Sequence, residues 1–280
     1  MLLKVGSNGD DVKKLQEKLG LNADGAFGPG TESAVKSWQS KNGLTADGIV
    51  GDGTWGKLFG SPTQVTTPVT TSISLELNKL SGHIPSAILS LIPTAFAKYG
   101  VNTVLRASHF LGQIAHESGD FTIKTESLYY TTPQVIVNTW PSRFNLNGAE
   151  GKKDANKYIK NQELLAESVY EGRMGNVKPG DGFRFRGAGF LQLTGREAFE
   201  GYAKYLGKTV EETADLIRND NFYALDAALW EYTIQMKLNP VADQGLTDEV
   251  IKKITRTING GYIGLPERTK KVKAYYSILA

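Results

Sequence analysis

His116-Glu117-Ser118-Gly119 places one carboxylate at the end of a predicted helix. Residues 103–115 carry apolar or small side chains at a helical period, at Val104, Ala107, Leu111, Ile114 and Ala115. A glycine after the last periodic residue is the usual stop signal. A glutamate held there against an apolar wall would have a raised pKa, as a general acid near neutral pH requires. The alternative is a solvated glutamate, the common state of this residue type.

A second carboxylate, Glu126, follows nine residues later in the stretch HESGDFTIKTESLYY. Inverting hydrolysis of a glycosidic bond needs two carboxyls about 6.5–9.5 Å apart, one to protonate the leaving oxygen and one to activate water. On one unbroken helix, nine residues would separate them by about 13 Å along the axis. A break at Gly119 would let the chain turn and bring Glu126 back across a cleft. The spacing alone is not specific, because pairs of glutamates nine apart are common.

Two further segments carry polar groups among glycines. Residues 170–195 read YEGRMGNVKPGDGFRFRGAGFLQLTG, and residues 258–268 read INGGYIGLPER. The glycines allow the backbone of a loop to pass close to a neighbouring group. Gln192 and Thr194 offer neutral hydrogen-bond donors and acceptors in this stretch. Thr194 also fits a helix-capping box with Glu197, and Asn259 with Gly260 also fits a helix C-cap.

Aromatic and histidine side chains near Glu117 have structural interpretations as well. Tyr129, Tyr130 and Trp140 could stack on sugar rings, although filling of a core is the favoured reading. His109 and His116 lie seven residues apart on one helix face. That spacing favours core packing or support of the site over metal ligation.

The composition describes an ordinary globular protein without cysteine. The chain has 280 residues, 40% hydrophobic and 22% charged, and no cysteine, which excludes disulfides and thiol nucleophiles. No apolar run is long enough for a transmembrane helix, and no secretory signal is visible at the start of the sequence. The net charge is +3, and basic residues cluster near the C-terminus at Lys252, Lys253, Arg256, Arg268, Lys270, Lys271 and Lys273. This patch could favour an anionic polymer or a membrane surface, or could simply be solvated.

The first 60 residues contain an internal repeat. Residues 20–31 (GLNADGAFGPGT) and 43–54 (GLTADGIVGDGT) match at eight of twelve positions, with a period of 23. Each copy supplies an Asp-Gly turn and a threonine, Thr31 or Thr54, predicted to cap the helix that follows. With a helix over residues 10–19, this predicts a three-helix module. A calcium loop is not expected, because Ala26 and Gly28 stand where oxygen ligands are needed. The segment resembles the N-terminal peptidoglycan-binding domain of cell-wall hydrolases.

Two domains joined by a linker follow from these patterns and from the resemblance of the first segment. We predict a peptidoglycan-binding module over residues 1–60, a Ser/Thr/Pro-rich linker over 61–76, and a catalytic domain over 77–280. The last is predicted to be mainly helical, with helices over 85–99, 155–170, 209–218, 222–236, 247–258 and 268–279. A short hairpin around 183–193 is the one strand feature expected. The predicted fold class is therefore all-α.

The four motifs around Glu117, Glu126, Gln192 and Asn259, in this order, resemble the catalytic domain of family 19 glycoside hydrolases, in the branch found in phage endolysins. The resemblance covers roughly residues 80–280. It implies that Glu117 is the general acid and Glu126 the general base, and that Thr194 helps hold the attacking water. It further implies substrate-binding or supporting roles for four residues: Gln192, Asn259, Arg268 and Tyr130. No cofactor and no metal are implied. The sequence departs from the family at Ala188 and Ala198, where Arg and a sugar-binding side chain are common.

The resemblance predicts an endolysin that hydrolyses the β-1,4 bonds of peptidoglycan as an inverting muramidase. Its expected partner is the bacterial wall. Nucleic acid is not an expected partner, nor is stable insertion into a membrane, and we expect a monomer. We expect synthesis in the host cytoplasm and action on the wall after the membrane is permeabilised. The alternatives are a chitinase on the same fold and a non-catalytic wall-binding protein. A zinc peptidase is disfavoured, because Asp120 stands where a second zinc-binding histidine is needed.

Overall fold

The computed structural model describes residues 3–44, 46–59 and 75–280. The chain falls into two compact units, residues 1–71 and 72–280, each with its own hydrophobic core. Most of the predicted linker, residues 61–74, lies outside the described residues, so the character of the linker stays a prediction. In the part of the chain that is described, no helix is both long and apolar enough to span a bilayer.

The first unit contains three helices around a small core. The helices are α1 (Asp10–Lys18), α2 (Pro29–Lys41) and α3 (Asp52–Phe59). Two antiparallel bridges, Leu3 to Val50 and Asn8 to Ala26, join the segments between these helices. The buried apolar side chains are Leu3, Val12, Leu15, Phe27, Val35, Val50 and Leu58.

A buried glutamine organises each copy of the 23-residue repeat. Gln16 Nε2 lies 2.7 Å from Asp24 Oδ1, 3.0 Å from the Ala26 carbonyl and 3.1 Å from Thr31 Oγ1. Its Oε1 accepts from the Gly25 amide, at 2.8 Å. This one side chain therefore ties a helix to the turn that follows it and to the first turn of the next helix.

Gln39 repeats these contacts in the second copy, with Asp47, the Ile49 carbonyl, Thr54 and the Gly48 amide. The capping roles predicted for the two threonines are wrong. Thr31 and Thr54 lie inside α2 and α3, where their hydroxyls accept from the two glutamines.

The second unit is built almost entirely from helices, which confirms the all-α prediction. Its α-helices are α4 (Ser86–Leu89), α5 (Ile92–Tyr99), α6 (Val104–Glu117), α7 (Pro133–Thr139), α8 (Gln162–Tyr170), α9 (Asp181–Arg184), α10 (Arg196–Leu206), α11 (Val210–Asn219), α12 (Asn221–Trp230), α13 (Asn239–Ala242), α14 (Asp248–Asn259) and α15 (Leu265–Leu279). Short 3-10 turns occupy Leu77–Leu80 and Ala155–Lys157, and a π-helical segment, Glu231–Gln235, continues α12.

The observed secondary structure differs from the prediction in two places: one helix is shorter than predicted, and the predicted hairpin does not form. Residues 183–193 form no hairpin: α9 covers the start of this stretch, and Ala188 pairs with Leu193 through a single bridge. The two-residue strands lie elsewhere, where β1 (Phe144–Asn145) pairs in parallel with β2 (Lys153–Asp154). The helix predicted over 155–170 begins only at Gln162, after the 3-10 turn.

Helix α6 is the central element of the second unit. Every residue from Ala107 to Ala115 on this helix is buried. It packs along α15, and the two backbones approach so closely at Gly112 that a Cβ there would lie 2.4–2.7 Å from atoms of Val272. Because Gly112 permits this contact, the C-terminal helix is held firmly against the helix that ends at Glu117.

Candidate functional site

Glu117 is the last residue of α6, as the sequence predicted for the end of this helix. Thr103 begins the helix, and its side-chain oxygen accepts from the Arg106 amide at 3.2 Å. After Glu117 the chain reverses through three residues in the left-handed region: Gly119, Asp120 and Phe121 have φ of 55°, 55° and 66°. The buried helix therefore holds the Glu117 backbone in place, while the turn directs the following chain away from the helix axis.

The Glu117 carboxylate is held by a buried arginine. Arg268, on α15, is only 2% exposed and donates from Nη2 to Glu117 Oε1. It also donates from Nη1 to Gln113 Oε1 at 2.8 Å and from Nε to the Ile263 carbonyl at 3.2 Å. Gln113 in turn donates to Thr255 Oγ1, at 3.1 Å. The apolar wall expected around Glu117 is thus partly a guanidinium. Because Arg268 is buried with its nitrogens turned to protein acceptors, it supports Glu117 and does not present a surface to a sugar.

A third glutamate, Glu231, lies near Glu117 and was missed in the sequence. It begins the π-helical segment after α12, and its Oε2 is fully buried without a hydrogen-bond partner. Burial, helped by the negative charge of Glu117, raises the pKa of Glu231 to about 8. At that pKa the protonated, neutral form of this carboxyl predominates at pH 7 and can donate a proton. The signal available in the sequence was a lone carboxylate in the apolar run AALWEY.

Glu126 lies in a short bridged segment rather than on a helix. Thr125 forms an antiparallel bridge with Ala188, and the Glu126 amide donates to the Gly187 carbonyl at 2.8 Å. Glu126 Oε2 accepts from the Gly187 amide at 3.1 Å, and Oε1 accepts from the Tyr170 hydroxyl at 2.7 Å. Both oxygens are thus oriented by donors.

Tyr170, the last residue of α8, is a second residue that the sequence analysis did not single out as functional. Burial and the neighbouring Glu126 raise the pKa of the Tyr170 hydroxyl well above its usual value. The hydroxyl therefore stays protonated and remains a donor to Glu126. Its position at the start of the glycine-rich stretch was the only sequence signal.

Gln192 lies beside Glu126. A Cβ on Gly187 would come within 2.6 Å of Gln192 Oε1 and within 3.3 Å of the Glu126 Cβ, so the glycine allows these side chains to crowd together. Gln192 has a left-handed backbone (φ 59°), and its Nε2 donates to the Gly189 carbonyl at 3.0 Å. The bridge from Ala188 to Leu193 fixes this strand-like turn next to the carboxylate.

Thr194 does not cap the helix that follows it, so that alternative is wrong. Helix α10 has Gly195 at its N-cap and no side-chain cap. The Thr194 hydroxyl instead donates to the Gln192 carbonyl at 2.7 Å. Its oxygen lone pairs remain available to accept a hydrogen from water, which is the geometry needed to orient an attacking water.

A cavity of about 340 Å³ opens beside Thr194. Ala198, Trp230 and Gln235 form part of its lining. The short side chain at Ala198 leaves room where a larger polar residue would fill the space. This cavity adjoins the two elements that carry Thr194 and Glu231, so it is a candidate space for part of a substrate.

Two of the predicted substrate-binding residues have structural contacts of their own. Tyr130 is half-buried and packs edge-on against Trp140, with ring centroids 5.9 Å apart, while Tyr129 is 52% exposed. Asn259 is exposed, and its Nδ2 donates to the Ile263 carbonyl at 3.3 Å, which braces the loop between α14 and α15. Their roles toward a substrate stay predictions.

The histidines on α6 serve packing and support. His109 is fully buried, and its Nε2 pairs with the Gly245 carbonyl at 2.9 Å. His116 packs against Gly264, where a Cβ would lie 2.2 Å from its Nε2, and burial next to Arg268 lowers the pKa of His116. Among residues 3–44, 46–59 and 75–280, no three His, Asp or Glu side chains are grouped to hold a metal ion.

The candidate site thus has two parts joined by the turn after Glu117. One part contains Glu117, its arginine support and the neutral Glu231; the other contains Glu126 with Tyr170, Gln192 and Thr194. The two carboxyls that could act as acid and base, Glu117 and Glu126, are thus held by different partners: a guanidinium in one case, a tyrosine hydroxyl and a backbone amide in the other.

Comparisons with known proteins match both units. Residues 8–58 match the family described as "Putative peptidoglycan binding domain". A glycosyl hydrolase family 19 domain-containing protein of Haemophilus influenzae is 30% identical over 205 residues, covering 71% of this chain and 93% of that protein. A bacterial family 19 chitinase aligns at 17% identity with a TM-score of 0.47, and the alignment covers 73% of this chain and 92% of the chitinase chain. A Burkholderia AP3 phage endolysin aligns at 18% identity with a TM-score of 0.36, and the alignment covers 99% of this chain and 98% of the endolysin chain.

Proposed function

The chain belongs to glycoside hydrolase family 19, and we therefore propose that it hydrolyses the β-1,4 glycosidic bonds of bacterial peptidoglycan. The observation that carries this choice of substrate is the presence, in the same chain, of a segment matching a peptidoglycan binding domain at residues 8–58. A wall-binding module raises the local concentration of the polymer for the second domain. The bond we favour is the one that leaves muramic acid at the new reducing end, which makes the enzyme a muramidase.

The proposed mechanism assigns a separate role to each carboxyl. Glu117 protonates the leaving glycosidic oxygen, while Glu126 deprotonates a water that attacks from the opposite face. Thr194 holds that water through its oxygen lone pairs, since its hydrogen is donated to Gln192. The hydrogen bonds from Tyr170 and the Gly187 amide hold the Glu126 carboxylate in one orientation.

The pair of Glu117 with Glu231 supports the acid role of Glu117. Negative charge on Glu117 contributes to the raised pKa of Glu231. When Glu117 gives its proton to the leaving group, its new charge is stabilised by Arg268 and is met by a neutral, protonated Glu231 rather than by a second charge. This arrangement favours the charge change that a general acid undergoes.

Lysis of a bacterial host is the biological role that we propose for this activity. In this role, the enzyme is made in the host cytoplasm and acts as a monomer on the wall once the membrane has been permeabilised. The proposal rests on the order of the four motifs, which resembles the phage endolysin branch. Addition of the purified protein to outer-membrane-permeabilised cells should clear the suspension, and a Glu117→Gln variant should not.

Mass spectrometry of digested peptidoglycan after reducing-end labelling tests the substrate and the bond together. Muramic acid at the new reducing ends supports the proposal. Glucosamine there would mean a glucosaminidase, and a 1,6-anhydro product would mean a transglycosylase. The chitinase alternative is tested in parallel with N-acetylglucosamine oligomers. Faster cleavage of these oligomers than of peptidoglycan strands of equal length would favour the chitinase.

A further inference from the structure

The exposed face of α14 carries three cations that the proposed mechanism does not use. The helix begins at Thr247, whose side chain accepts from the Val250 amide, and its apolar face is buried at Val250, Ile251, Ile254 and Thr255. The rotation of the helix is therefore fixed, and it turns Lys253 and Arg256 toward solvent, with Lys252 half-buried beside them. Together with Tyr262 we call these residues the α14 cation cluster.

The α14 cation cluster is arranged around a tyrosine ring. Lys252 Nζ lies 5.4 Å from the centroid of the Tyr262 ring, and Arg256 Cζ lies 6.0 Å from it. These side chains line a cavity of about 270 Å³ together with Glu249 and Thr257. A cavity lined by three cations and one carboxylate retains a net positive charge and suits an anionic group.

The cations of this cluster differ from the neighbouring lysines on α15. Lys271 pairs with Asp120, and Lys273 pairs with Asp248 at 2.7 Å. Within the described residues, no ion pair engages Lys252, Lys253 or Arg256. Their charges are therefore available to a ligand, whereas Lys271 and Lys273 are already neutralised by the protein.

The cluster is connected to the wall of the candidate site. Tyr262 lies in the loop between α14 and α15, and Gly264 in the same loop packs against His116, the neighbour of Glu117. Two residues of chain span at most about 7 Å, so Tyr262 is close to that contact. The carbonyl of Ile263, whose side chain is 79% exposed, accepts from Arg268 and so links the loop directly to the support of Glu117.

We propose that the α14 cation cluster binds carboxylates of the peptide stems that branch from the glycan strand in the site. This inference rests on the proposed function and specifies how the site distinguishes its substrate. Peptidoglycan stems carry several carboxylates, whereas chitin is an unbranched neutral polymer. A guanidinium and an ammonium bind carboxylates through charge-assisted hydrogen bonds, and the exposed Tyr262 and Ile263 offer contact area to the stem.

A membrane surface is the competing partner for a basic face. Polybasic segments that bind anionic lipids usually gather four to eight Lys or Arg residues. This cluster has three, they line a concavity, and the loop beside them leads to Glu117. These observations favour a carboxylate on a flexible peptide over a flat layer of headgroups.

The test compares the full-length protein with a Lys252→Gln/Arg256→Gln variant on two forms of one glycan. One form is a soluble peptidoglycan strand with its stems; the other is the same strand after an amidase has removed them, which leaves only lactyl carboxylates. The expected result is a loss of about tenfold or more in kcat/KM on the stem-bearing strand, because two charge-assisted contacts are removed. On the stripped strand the loss should stay below about threefold, because fewer carboxylates remain to be bound.

A matched control variant, Lys157→Gln/Lys204→Gln, makes the same change in net charge at two exposed sites elsewhere in the second unit. It should behave as wild type on both strands. An equal loss on both strands for the cluster variant, or no loss on either, would overturn the proposal. The proposal would also be overturned if the cluster variant kept the wild-type preference for the stem-bearing strand but no longer sedimented with phosphatidylglycerol vesicles. The partner of the cluster would then be a lipid surface. Wild-type protein that cleaves chitin oligomers but neither strand would instead refute the proposed function itself.

Discussion

Replacement of Glu231 by glutamine should change how the stability of the second unit depends on pH. Glu231 lies near Glu117, and within the described residues its Oε2 is buried without a hydrogen-bond partner. Glutamine keeps the shape of the side chain but has no proton to lose between pH 4 and 9. The wild-type protein and the Glu231→Gln variant therefore differ in a single titration.

The sign of the effect follows from the two pKa values. In the unfolded chain Glu231 loses its proton near its ordinary pKa of 4.5, whereas in the folded protein it keeps the proton up to about 8. Between these values the unfolded state binds fewer protons, so the free energy of unfolding decreases as pH rises. The stabilising contribution is full below pH 4.5 and is lost as pH rises through about 8. The variant lacks this decrease.

The magnitude comes from the size of the shift. One pH unit inside this window corresponds to about 1.4 kcal/mol, so two units, from pH 5 to pH 7, give a ceiling of about 3 kcal/mol. Calorimetry at half-unit pH steps, on the larger of the two unfolding transitions, measures the difference between wild type and variant. We expect the difference to grow by about 1–3 kcal/mol over this range in favour of the variant.

A control and a refuting result complete this experiment. Glu150→Gln removes an exposed carboxyl from the same unit and should run parallel to wild type at every pH. Parallel curves for wild type and Glu231→Gln would show that Glu231 is ionised in the folded protein. The argument that it meets Glu117 as a neutral acid would then fail.

Four further predictions concern the reaction and the first unit. Glu117→Gln should lower the hydrolytic rate by about 10²–10⁴-fold with the fold retained, because the transferable proton is lost; wall lysis within tenfold of wild type would contradict the acid role. Glu126→Gln should be similarly severe, and azide rescue of a smaller residue at 126 would support its role as base, whereas a nearly silent variant would move that role elsewhere. Deletion of residues 1–60 should weaken binding to insoluble walls but spare turnover of soluble fragments, since the second unit has its own core; equal losses on both substrates would contradict this. Proton NMR of early product should show the α-anomer from a β-linked glycan, and a β-anomer would exclude inversion.

The parts of the fold that follow from local chemistry were predictable from the sequence. Threonines at 103, 209 and 247 cap α6, α11 and α14 because a hydroxyl before a helical run satisfies amides within three residues. Thr31 and Thr54 look the same locally, yet each accepts from a glutamine fifteen residues upstream. The local pattern cannot distinguish a cap from an acceptor for a distant side chain.

The candidate site was predictable only as far as its motifs reach. Glu117 and Glu126 stand in recognisable stretches, but the partners that define their chemistry come from α15, α8 and the end of α12. The apolar face of α6 suggested an apolar wall around Glu117. Only the close crossing of α6 and α15 at Gly112 brings Arg268 to that carboxylate. Glu231 and Tyr170 were missed because their roles arise from tertiary burial, which short-range periodicity does not report.

The paired glutamines of the first unit have a consequence for how such a module can change its length. Gln16 and Gln39 each bond only to the turn that follows and to the next helix, so every copy of the repeat completes the copy before it. Duplication of 23 residues leaves each buried glutamine amide with its full set of partners. An insertion of another length inside the repeat would leave one glutamine without its partners. The glutamine network of this module therefore permits extension in whole copies, by evolution or by design.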